Sequence, residues 1–352
     1  RRKSKDEETQ SKSRTRRTAR RTRTTRRRTA TARTITTAGE AAEIGWSACG
    51  LRQRIRNSGG TRGRMAEMLS KLDLSDTSVL ATLAVGAIGL VGALVFLSSR
   101  GSKTPRPGEL LPGEKRDTVY FYAFAPWKHG PSASAPCLKL EAYLRLAKIE
   151  YVHKKTLKGH PRTKKLPYIR YNGECIYDSN FIISYLVKKA GTLDMDAHVS
   201  AEQLAINRAA ASMAEDSLYF CVVVERWVNN IDNFSASLHD AKSPPYWLFR
   251  LIFRYLVRPG VQKQVYFQGT ARLTNDQIEE RVDGQLKAFS GILGTKDFFG
   301  GDKPCTADLT IFANLSTMYY VPWSKLGLLL KKYNNLAAYV ERMQSLAFPE
   351  LK

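Results

Sequence analysis

An uninterrupted apolar run is the most prominent hydropathy feature of the first hundred residues. It extends from Val79 to Leu97 (VLATLAVGAIGLVGALVFL) and contains no charged side chain. At about 1.5 Å of rise per residue, a helix of this length crosses roughly the hydrocarbon thickness of a bilayer. A cleaved signal peptide would have a shorter apolar core, of about 7 to 15 residues. The run therefore predicts a transmembrane helix over residues 78–98.

After this run, a Pro- and Gly-rich stretch over residues 99–116 predicts a linker. Beyond it, short apolar runs predict strands, and apolar positions that recur every three to four residues predict helices. The Asn172-Gly173 pair between two apolar runs is a strong signal for a hairpin turn. In chain order the pattern predicts strand 118–124, helix 137–149, strand 151–156, strand 168–171, strand 175–177 and helix 179–190.

From about residue 200 onward the helical period dominates the pattern. Five segments show it: AEQLAINRAAASMAEDSLYFCVVVERWV, PYWLFRLIFRYLV, NDQIEERVDGQLKAFSGIL, CTADLTIFANLSTMYY and NNLAAYVERMQSL. The predicted fold class is therefore an α/β domain over residues 117–192 followed by an all-α domain over residues 197–350.

Charge is distributed unevenly along the 352 residues, whose formal net charge is +24. Residues 1–76 hold 21 Lys and Arg against 8 Asp and Glu, which is more than half of the excess. Residues 1–64 are a low-complexity tract of Arg, Thr and Ser, and this composition predicts disorder. The tract is either an arm for nucleic acid or anionic lipid, or an untranslated leader ahead of Met65. Nucleic-acid binding is expected only in the first case.

The five cysteines, at positions 49, 137, 175, 221 and 305, are odd in number and widely spaced. No Cys-x-x-Cys pair or clustered Cys and His spacing is present, so a zinc site is not expected. A disulfide-stapled secreted domain would be shorter and richer in cysteine. The pattern predicts free thiols in a reducing compartment and no metal cofactor.

The charges that flank the apolar run predict its orientation. If Met65 is the initiator, the short segment before the run carries one lysine against three acidic residues, whereas five Lys and Arg follow between residues 98 and 116. The positive-inside rule then places the C-terminal domains in the cytosol. If residues 1–64 are translated, both flanks are basic and the rule decides little.

Four stretches, taken in order, resemble one known family. They are SAPCLKLEAYLR, LPYIRYNGECIYDSNFIISYL, VRPGVQKQVYFQGTARLT and GDKPCTADLTIFA. Together they resemble the failed axon connections family and its metaxin and cadmium-responsive relatives, which are divergent glutathione S-transferase-like proteins. The resemblance implies a thioredoxin-like N-terminal domain and a helical C-terminal domain of the glutathione S-transferase type. It implies a scaffold or stress protein as readily as an enzyme.

The start of the helix in SAPCLKLEAYLR contains the two candidate catalytic residues. The positive end of a helix dipole favours a thiolate, and the resemblance places Ser134 and Cys137 at the reactive positions of thioredoxin-like folds. Ser134 is either a hydroxyl that activates the glutathione thiol or a helix cap, and Ser132 competes for both roles. Cys137 also falls on the apolar stripe of the helix, which predicts a buried core residue instead.

Two further pairs are candidate glutathione-binding residues by the same resemblance. Pro167 resembles the family's cis-proline, whose geometry would let the Leu166 backbone pair with the glutathione backbone. Asp178 and Ser179 match the acidic-Ser pair that holds the γ-glutamyl end at a helix N-terminus. The alternatives are a proline at the first position of a strand and a simple helix N-cap.

Three other features have both a functional and a structural interpretation. Cys305 and Asp308 occupy the capping-box positions of GDKPCTAD, where cysteine in place of Ser or Thr predicts a weaker cap and a folding role. The cations of residues 154–165 predict either a solvated loop or a site for carboxylates or anionic headgroups. The segment YWLFRLIFRYLVR predicts a helix that packs over the helical domain or lies at a membrane interface.

Two functions remain open at this point. The first is a single-pass, membrane-anchored scaffold with a glutathione S-transferase-like fold, with protein partners or a homodimer. The second is an active glutathione transferase or thiol-exchange enzyme with glutathione as its ligand.

Overall fold

The computed structural model describes residues 108–240 and 243–351. The predicted disordered tract, the predicted transmembrane helix and the first part of the predicted linker lie outside these residues. Within the two described ranges, no helix combines the length and the apolar character that crossing a bilayer requires.

The N-terminal domain is built on a four-stranded sheet with strand order β2-β1-β3-β4. Strand β1 pairs in parallel with β2 and antiparallel with β3, and β3 pairs antiparallel with β4. Helix α1 joins β1 to β2, and α2 follows β4. The bounds are β1 Val119–Ala123, α1 Ala135–Leu146, β2 Tyr151–Lys155, β3 Tyr168–Tyr171, β4 Glu174–Tyr177 and α2 Ser179–Ala190.

One face of this sheet forms the core with α1 and α2. Phe121 and Ile169, neighbours in the β1–β3 register, have no exposed surface, and Leu140 and Leu144 of α1 are equally buried. The inward side chains alternate along β1 because successive residues of a strand point to opposite faces. This fixes which side of the sheet the two helices cover.

The opposite face is covered by residues 109–116, which the sequence predicted to be a linker. The carboxylate of Glu114 forms a two-pronged ion pair with Arg170 of β3, at 2.7 and 3.1 Å, and both side chains are buried. The Tyr120 hydroxyl accepts the Lys115 N–H at 2.7 Å. This part of the predicted linker is therefore packed on the sheet, because an ion pair with a buried arginine fixes the backbone on either side of the carboxylate.

The β3–β4 turn accommodates the start of this segment. Asn172 and Gly173 both have positive φ, as the Asn-Gly signal predicts for a two-residue hairpin turn. Gly108 donates its N–H to the Gly173 carbonyl at 3.2 Å. A Cβ at position 173 would lie 2.3 Å from the Gly108 carbonyl carbon, so this close approach requires glycine.

The C-terminal domain is helical. Its first helical stretch contains two π-helical turns, Ala214–Leu218 and Val224–Asn229, and another such turn, Phe253–Val257, joins α6 to α7. The α-helices are α3 Ala201–Met213, α4 Tyr219–Val223, α5 Ile231–Leu238, α6 Tyr246–Ile252, α7 Arg258–Gln268, α8 Asn275–Leu293, α9 Thr306–Tyr319, α10 Lys325–Leu330 and α11 Asn334–Ala347.

Helix α9 lies at the centre of the described chain. Every residue from Ala307 to Tyr319 is buried, which is the pattern of a helix surrounded by other elements. It packs on α1 of the N-terminal domain and on α3, α10 and α11 of its own domain. One continuous hydrophobic core therefore runs through both domains.

The Glu114–Arg170 pair should make stability depend on acid. Burial alone would raise the pKa of Glu114, but the hydrogen bonds from Arg170 and from the Leu111 N–H outweigh it and lower the pKa below its ordinary 4.5. The stabilisation is thus present above pH 4.5 and is lost as the pH falls through the lowered pKa. Because it leaves a buried arginine without its partner, Glu114→Gln should cost about 3 kcal/mol at pH 7.

Thermal unfolding followed by circular dichroism checks this expectation. A loss of that size corresponds to a Tm lower by about 6–12 °C for a domain of this size, and the difference from the wild type should shrink below pH 4.5. Glu150→Gln is the matched control, because Glu150 is exposed. Equal effects of the two substitutions would contradict a structural role for residues 109–116.

Candidate functional site

The sheet register brings the predicted ligand-binding residues to one end of the sheet, where β1 ends and β3 begins. This end is here called the candidate edge. Tyr122 of β1, Tyr168 of β3 and Tyr177 of β4 form one row across the sheet. Pro167 directly precedes this row and Asp178 directly follows it. The loop that leads to α1 also leaves β1 at this edge, because β1 runs antiparallel to β3. Leu166–Pro167, Asp178–Ser179 and the β1–α1 loop therefore share one end of the sheet.

Ser134 precedes α1 with an extended backbone, as an N-cap residue should. Its carbonyl accepts the Leu138 N–H at 2.9 Å, and its own N–H donates to the Ser132 hydroxyl at 3.2 Å. The Ser134 hydroxyl does not cap the helix. Its interaction with the Cys137 thiol lowers the pKa of that thiol, against the effect of burial. The half-buried hydroxyl that was a candidate for activating the glutathione thiol therefore interacts with Cys137.

Cys137 lies in the hydrophobic core, with 1% of its surface exposed. Burial raises the pKa of its thiol to about 11, although the hydrogen bond with Ser134 acts in the opposite direction. At neutral pH the group is a protonated thiol with no access to solvent. Of the two roles that the sequence left open for Cys137, the packing role fits this environment and thiol exchange does not.

The Leu166–Pro167 peptide bond is cis, as the resemblance implied. Pro167 is buried, and Leu166 is half-buried against the core. The backbone N–H and C=O of Leu166 form no hydrogen bond with any residue in the described part of the chain. This pair of groups could therefore accept an extended backbone in the manner of an added strand.

Asp178 is the N-cap of α2. Its carboxylate accepts the N–H groups of Asn180 at 2.9 Å and Phe181 at 3.4 Å. Its φ of 70° is uncommon for a residue with a side chain, and such backbone strain is concentrated at functional positions. Ser179 is 6% exposed, and its hydroxyl forms no hydrogen bond with the described residues. A hydroxyl without a partner at a helix N-terminus is suited to an anion, but Asp178 already uses two of the helix N–H groups.

Comparison with known proteins now identifies the family. The model of the glutathione S-transferase N-terminal domain matches residues 135–233, and that of the C-terminal domain matches residues 282–343. Failed axon connections of Drosophila melanogaster is 31% identical over 67% of this chain and 59% of its own length. The metaxin-2 homolog of Caenorhabditis elegans is 24% identical over 53% of this chain and 81% of its own length. The chain belongs to the metaxin-like family of glutathione S-transferase-like proteins.

One bacterial enzyme is also similar to this metaxin-like chain. The isoprene-epoxide–glutathione S-transferase of Rhodococcus sp. strain AD45 is 29% identical over 64% of the chain and 98% of its own length. By contrast, the chain spans only 59% of Failed axon connections.

Beside the candidate edge, the metaxin-like fold contains a polar network that the sequence did not reveal. Lys139 of α1 is 2% exposed, and its Nζ donates to Asn180 Oδ1 at 2.6 Å and to Glu215 Oε1 at 2.7 Å. Asn180 donates from Nδ2 to both oxygens of Glu215. Burial lowers the pKa of Lys139, and Glu215 partly offsets this. The network joins the starts of α1 and α2, close to the candidate edge, to the helical domain.

Arg226 is a second residue whose role the sequence did not reveal. It ties the β1–α1 loop to the helical domain. This buried guanidinium donates to the Ala133 carbonyl at 2.7 Å and to the Thr317 carbonyl. It also lies 4.7 Å from the centre of the Trp127 ring, whose Nε1 donates to Ser237 at 3.1 Å. Burial lowers the pKa of Arg226 to about 10, and Glu225 partly offsets this.

Around Arg226, aromatic side chains fill the space between the loop and the helical domain. Trp127, Phe234 and Val321 form the buried centre of this cluster, and Trp227 and Trp323 pack against it. One shallow cavity of about 330 Å³ borders this cluster at Trp127, and another of similar volume lies on α6 and the turn that follows it. Neither is lined by the predicted site residues.

The predicted cap of α9 depends on its carboxylate. Asp308 is fully buried and accepts three backbone N–H groups, from Cys305 at 2.8 Å, Phe299 at 2.8 Å and Gly300 at 3.0 Å. The Cys305 sulfur accepts a hydrogen bond from Asn207 Nδ2 at 3.5 Å. The environment of both residues is that of a structural cap.

Alkylation of the native protein should separate the buried thiols from the exposed one. At pH 8 a thiol with a pKa of about 11 is only about 0.1% thiolate, so burial and protonation both protect Cys137. Peptide mapping after iodoacetamide treatment should find Cys175, which is exposed, modified well before Cys137, Cys221 and Cys305. Modification of Cys137 at the rate of Cys175 in native protein would restore the thiol-exchange role.

Proposed function

We propose that this protein is a membrane-anchored scaffold of the metaxin-like family that uses the glutathione S-transferase fold to bind protein partners. In this proposal Val79–Leu97 is the single membrane span and the folded domains are in the cytosol. The proposal is supported by the similarity to metaxin and Failed axon connections, relatives that are not named as transferases.

The closed β1–α1 loop carries the proposal. A transferase needs an open groove beside the group that activates the glutathione thiol, and a second space for the electrophile. Here Arg226 and Trp127 tie the loop to the helical domain. The Ser134 hydroxyl interacts with the Cys137 thiol, whose pKa it lowers. Opening the loop would deprive the buried Arg226 guanidinium of one of its two carbonyl acceptors, that of Ala133, which is costly.

Glutathione binding remains a second candidate function, because two observations favour it. Beside the cis-proline, the backbone groups of Leu166 have no hydrogen-bond partner among the described residues, and the same holds for the Ser179 hydroxyl at this edge. The Rhodococcus relative is named as a glutathione transferase. In this second function the edge would hold glutathione without activating its thiol, or would activate it only after the loop opens.

Calorimetry and activity assays on the full chain in detergent distinguish these functions. The scaffold proposal expects no turnover of 1-chloro-2,4-dinitrobenzene above the uncatalysed rate at millimolar glutathione, and no change in Ser134→Ala. Turnover that falls about tenfold or more in Ser134→Ala would overturn it in favour of the enzyme, since a positioned general-acid or hydrogen-bonding group contributes at least that much.

Binding is measured separately from turnover. If glutathione binds at the sheet edge, Asp178→Asn and Ser179→Ala should weaken the binding, whereas Asp302→Asn, an exposed control far along the chain, should not. Binding that survives both edge substitutions would place the ligand elsewhere.

The anchor is tested by alkaline carbonate extraction of cell membranes. The full chain should remain in the membrane pellet, because a transmembrane helix of this length stays inserted under conditions that release peripheral proteins. Deletion of residues 78–98 should release the chain into the supernatant. Protease added to intact organelles or cells should digest the C-terminal domains only from the cytosolic side. Release of the full chain by carbonate would refute the single-pass anchor.

A further inference from the structure

A cluster of exposed cations extends from the end of β2 into the loop between β2 and β3. Residues 154–165 are here called the basic loop. No acidic residue occurs between Glu150 and Glu174 in the sequence. The exposed cations are Lys154, Lys155, Lys158, Arg162, Lys164 and Lys165. Among the described residues, no carboxylate forms an ion pair with Arg162, Lys164 or Lys165.

The fold holds the basic loop in one shape. The buried ring of His160 lies 4.4 Å from the Tyr177 ring and 5.6 Å from the Tyr168 ring, which fixes the loop on the outer face of the sheet. The His160 N–H donates to the Lys165 carbonyl at 2.9 Å, and the Lys164 N–H donates to the His160 carbonyl at 2.8 Å. The cations are therefore presented by a fixed turn, so ordering them for a partner costs little.

Exposed apolar groups accompany these charges. Leu157 in the basic loop is 88% exposed. Lys165 Nζ donates to Gln264 Oε1 at 3.1 Å, which places the loop beside α7. Helix α7 carries Tyr266 and Phe267, which are 55% and 68% exposed.

We propose that the basic loop and the adjoining face of α7 form a docking face for an anionic bilayer surface. Cations that attract lipid phosphates and carboxylates, next to aromatic and aliphatic groups that enter the headgroup layer, are the composition of interfacial membrane sites. Acidic headgroups complement a region that lacks carboxylates of its own. A bilayer also covers Leu157 and Phe267, which no described element covers.

The tether in the sequence strengthens the choice of a bilayer, and this step rests on the proposed anchor. Only residues 98–107 separate the apolar run from Gly108, and such a segment spans at most about 35 Å when extended. The folded domains would then stay close to the surface at high effective concentration. Gly108 lies at the β3–β4 turn, one strand length from the basic loop, so the tether lets this face reach the membrane.

Hydrogen exchange of the full chain in lipid nanodiscs tests the docking face. Peptides covering the basic loop and α7 should exchange about fivefold or more slowly in nanodiscs with 30% phosphatidylserine than in pure phosphatidylcholine, and 0.5 M NaCl should remove the difference. Equal exchange in the two lipids would overturn the proposal, and would leave an acidic protein as the partner to seek.

Two variants and a matched control complete the test. The charge reversal Arg162→Glu, Lys164→Glu, Lys165→Glu should abolish the protection, and Phe267→Ser should reduce it. The control Lys287→Glu, Lys303→Glu, Lys332→Glu changes the charge equally at exposed positions elsewhere and should leave it intact. Loss of protection in both triple variants would mean that net charge, and not this face, is responsible.

The proposed anchor and the proposed docking face can be refuted independently of each other. A chain that does not insert into nanodiscs would refute the single-pass anchor alone. Flotation of that chain with phosphatidylserine vesicles, and its absence from phosphatidylcholine vesicles, would then still support the docking face. A chain that inserts but shows no lipid-dependent protection would refute the docking face alone.

Discussion

The pairing of β1 with both β2 and β3 is the constraint on which the candidate site depends. Because β1 is parallel to one neighbour and antiparallel to the other, its C-terminal end meets the start of β3 and the end of β4. The β3–β4 hairpin brings Leu166–Pro167 and Asp178–Ser179 to this end of the sheet, and the β1–β3 pairing brings the β1–α1 loop to the same end. A shift of one residue would turn Phe121 out of the core, so the hydrophobic effect fixes the geometry of the edge.

At that end of the sheet the metaxin-like chain combines a strained Asp178, a Leu166 backbone without hydrogen bonds to the described residues, and a Ser134 hydroxyl that interacts with the buried Cys137 thiol. Arg226 joins the adjoining loop to the helical domain. Burying a guanidinium among carbonyls and aromatic rings costs solvation, and the hydrogen bond to the Ala133 carbonyl offsets part of this cost only while the loop keeps its position. The proposed binding role depends on that position of the loop.

Hydrophobic periodicity predicted most secondary structure within two or three residues, because each strand and helix has one apolar face. The shorter helices Ile231–Leu238 and Lys325–Leu330 were missed, since a helix of two turns leaves little periodic signal. The buried position of Lys139 was not predicted for a different reason. A lysine beside apolar residues is normally assigned to the surface, and its partners Asn180 and Glu215 are 41 and 76 residues away.

The sequence by itself determined the order of strands and helices, the Asn172-Gly173 turn and the apolar stripe of α1 on which Cys137 falls, because these depend on local propensity and on periodicity. Only the tertiary structure decided that Cys137 is buried, that residues 109–116 pack on the sheet, that Arg226 ties the β1–α1 loop to the helical domain, and that the basic loop lies beside α7. The last three depend on long-range polar contacts, and such contacts leave no periodic trace in the chain.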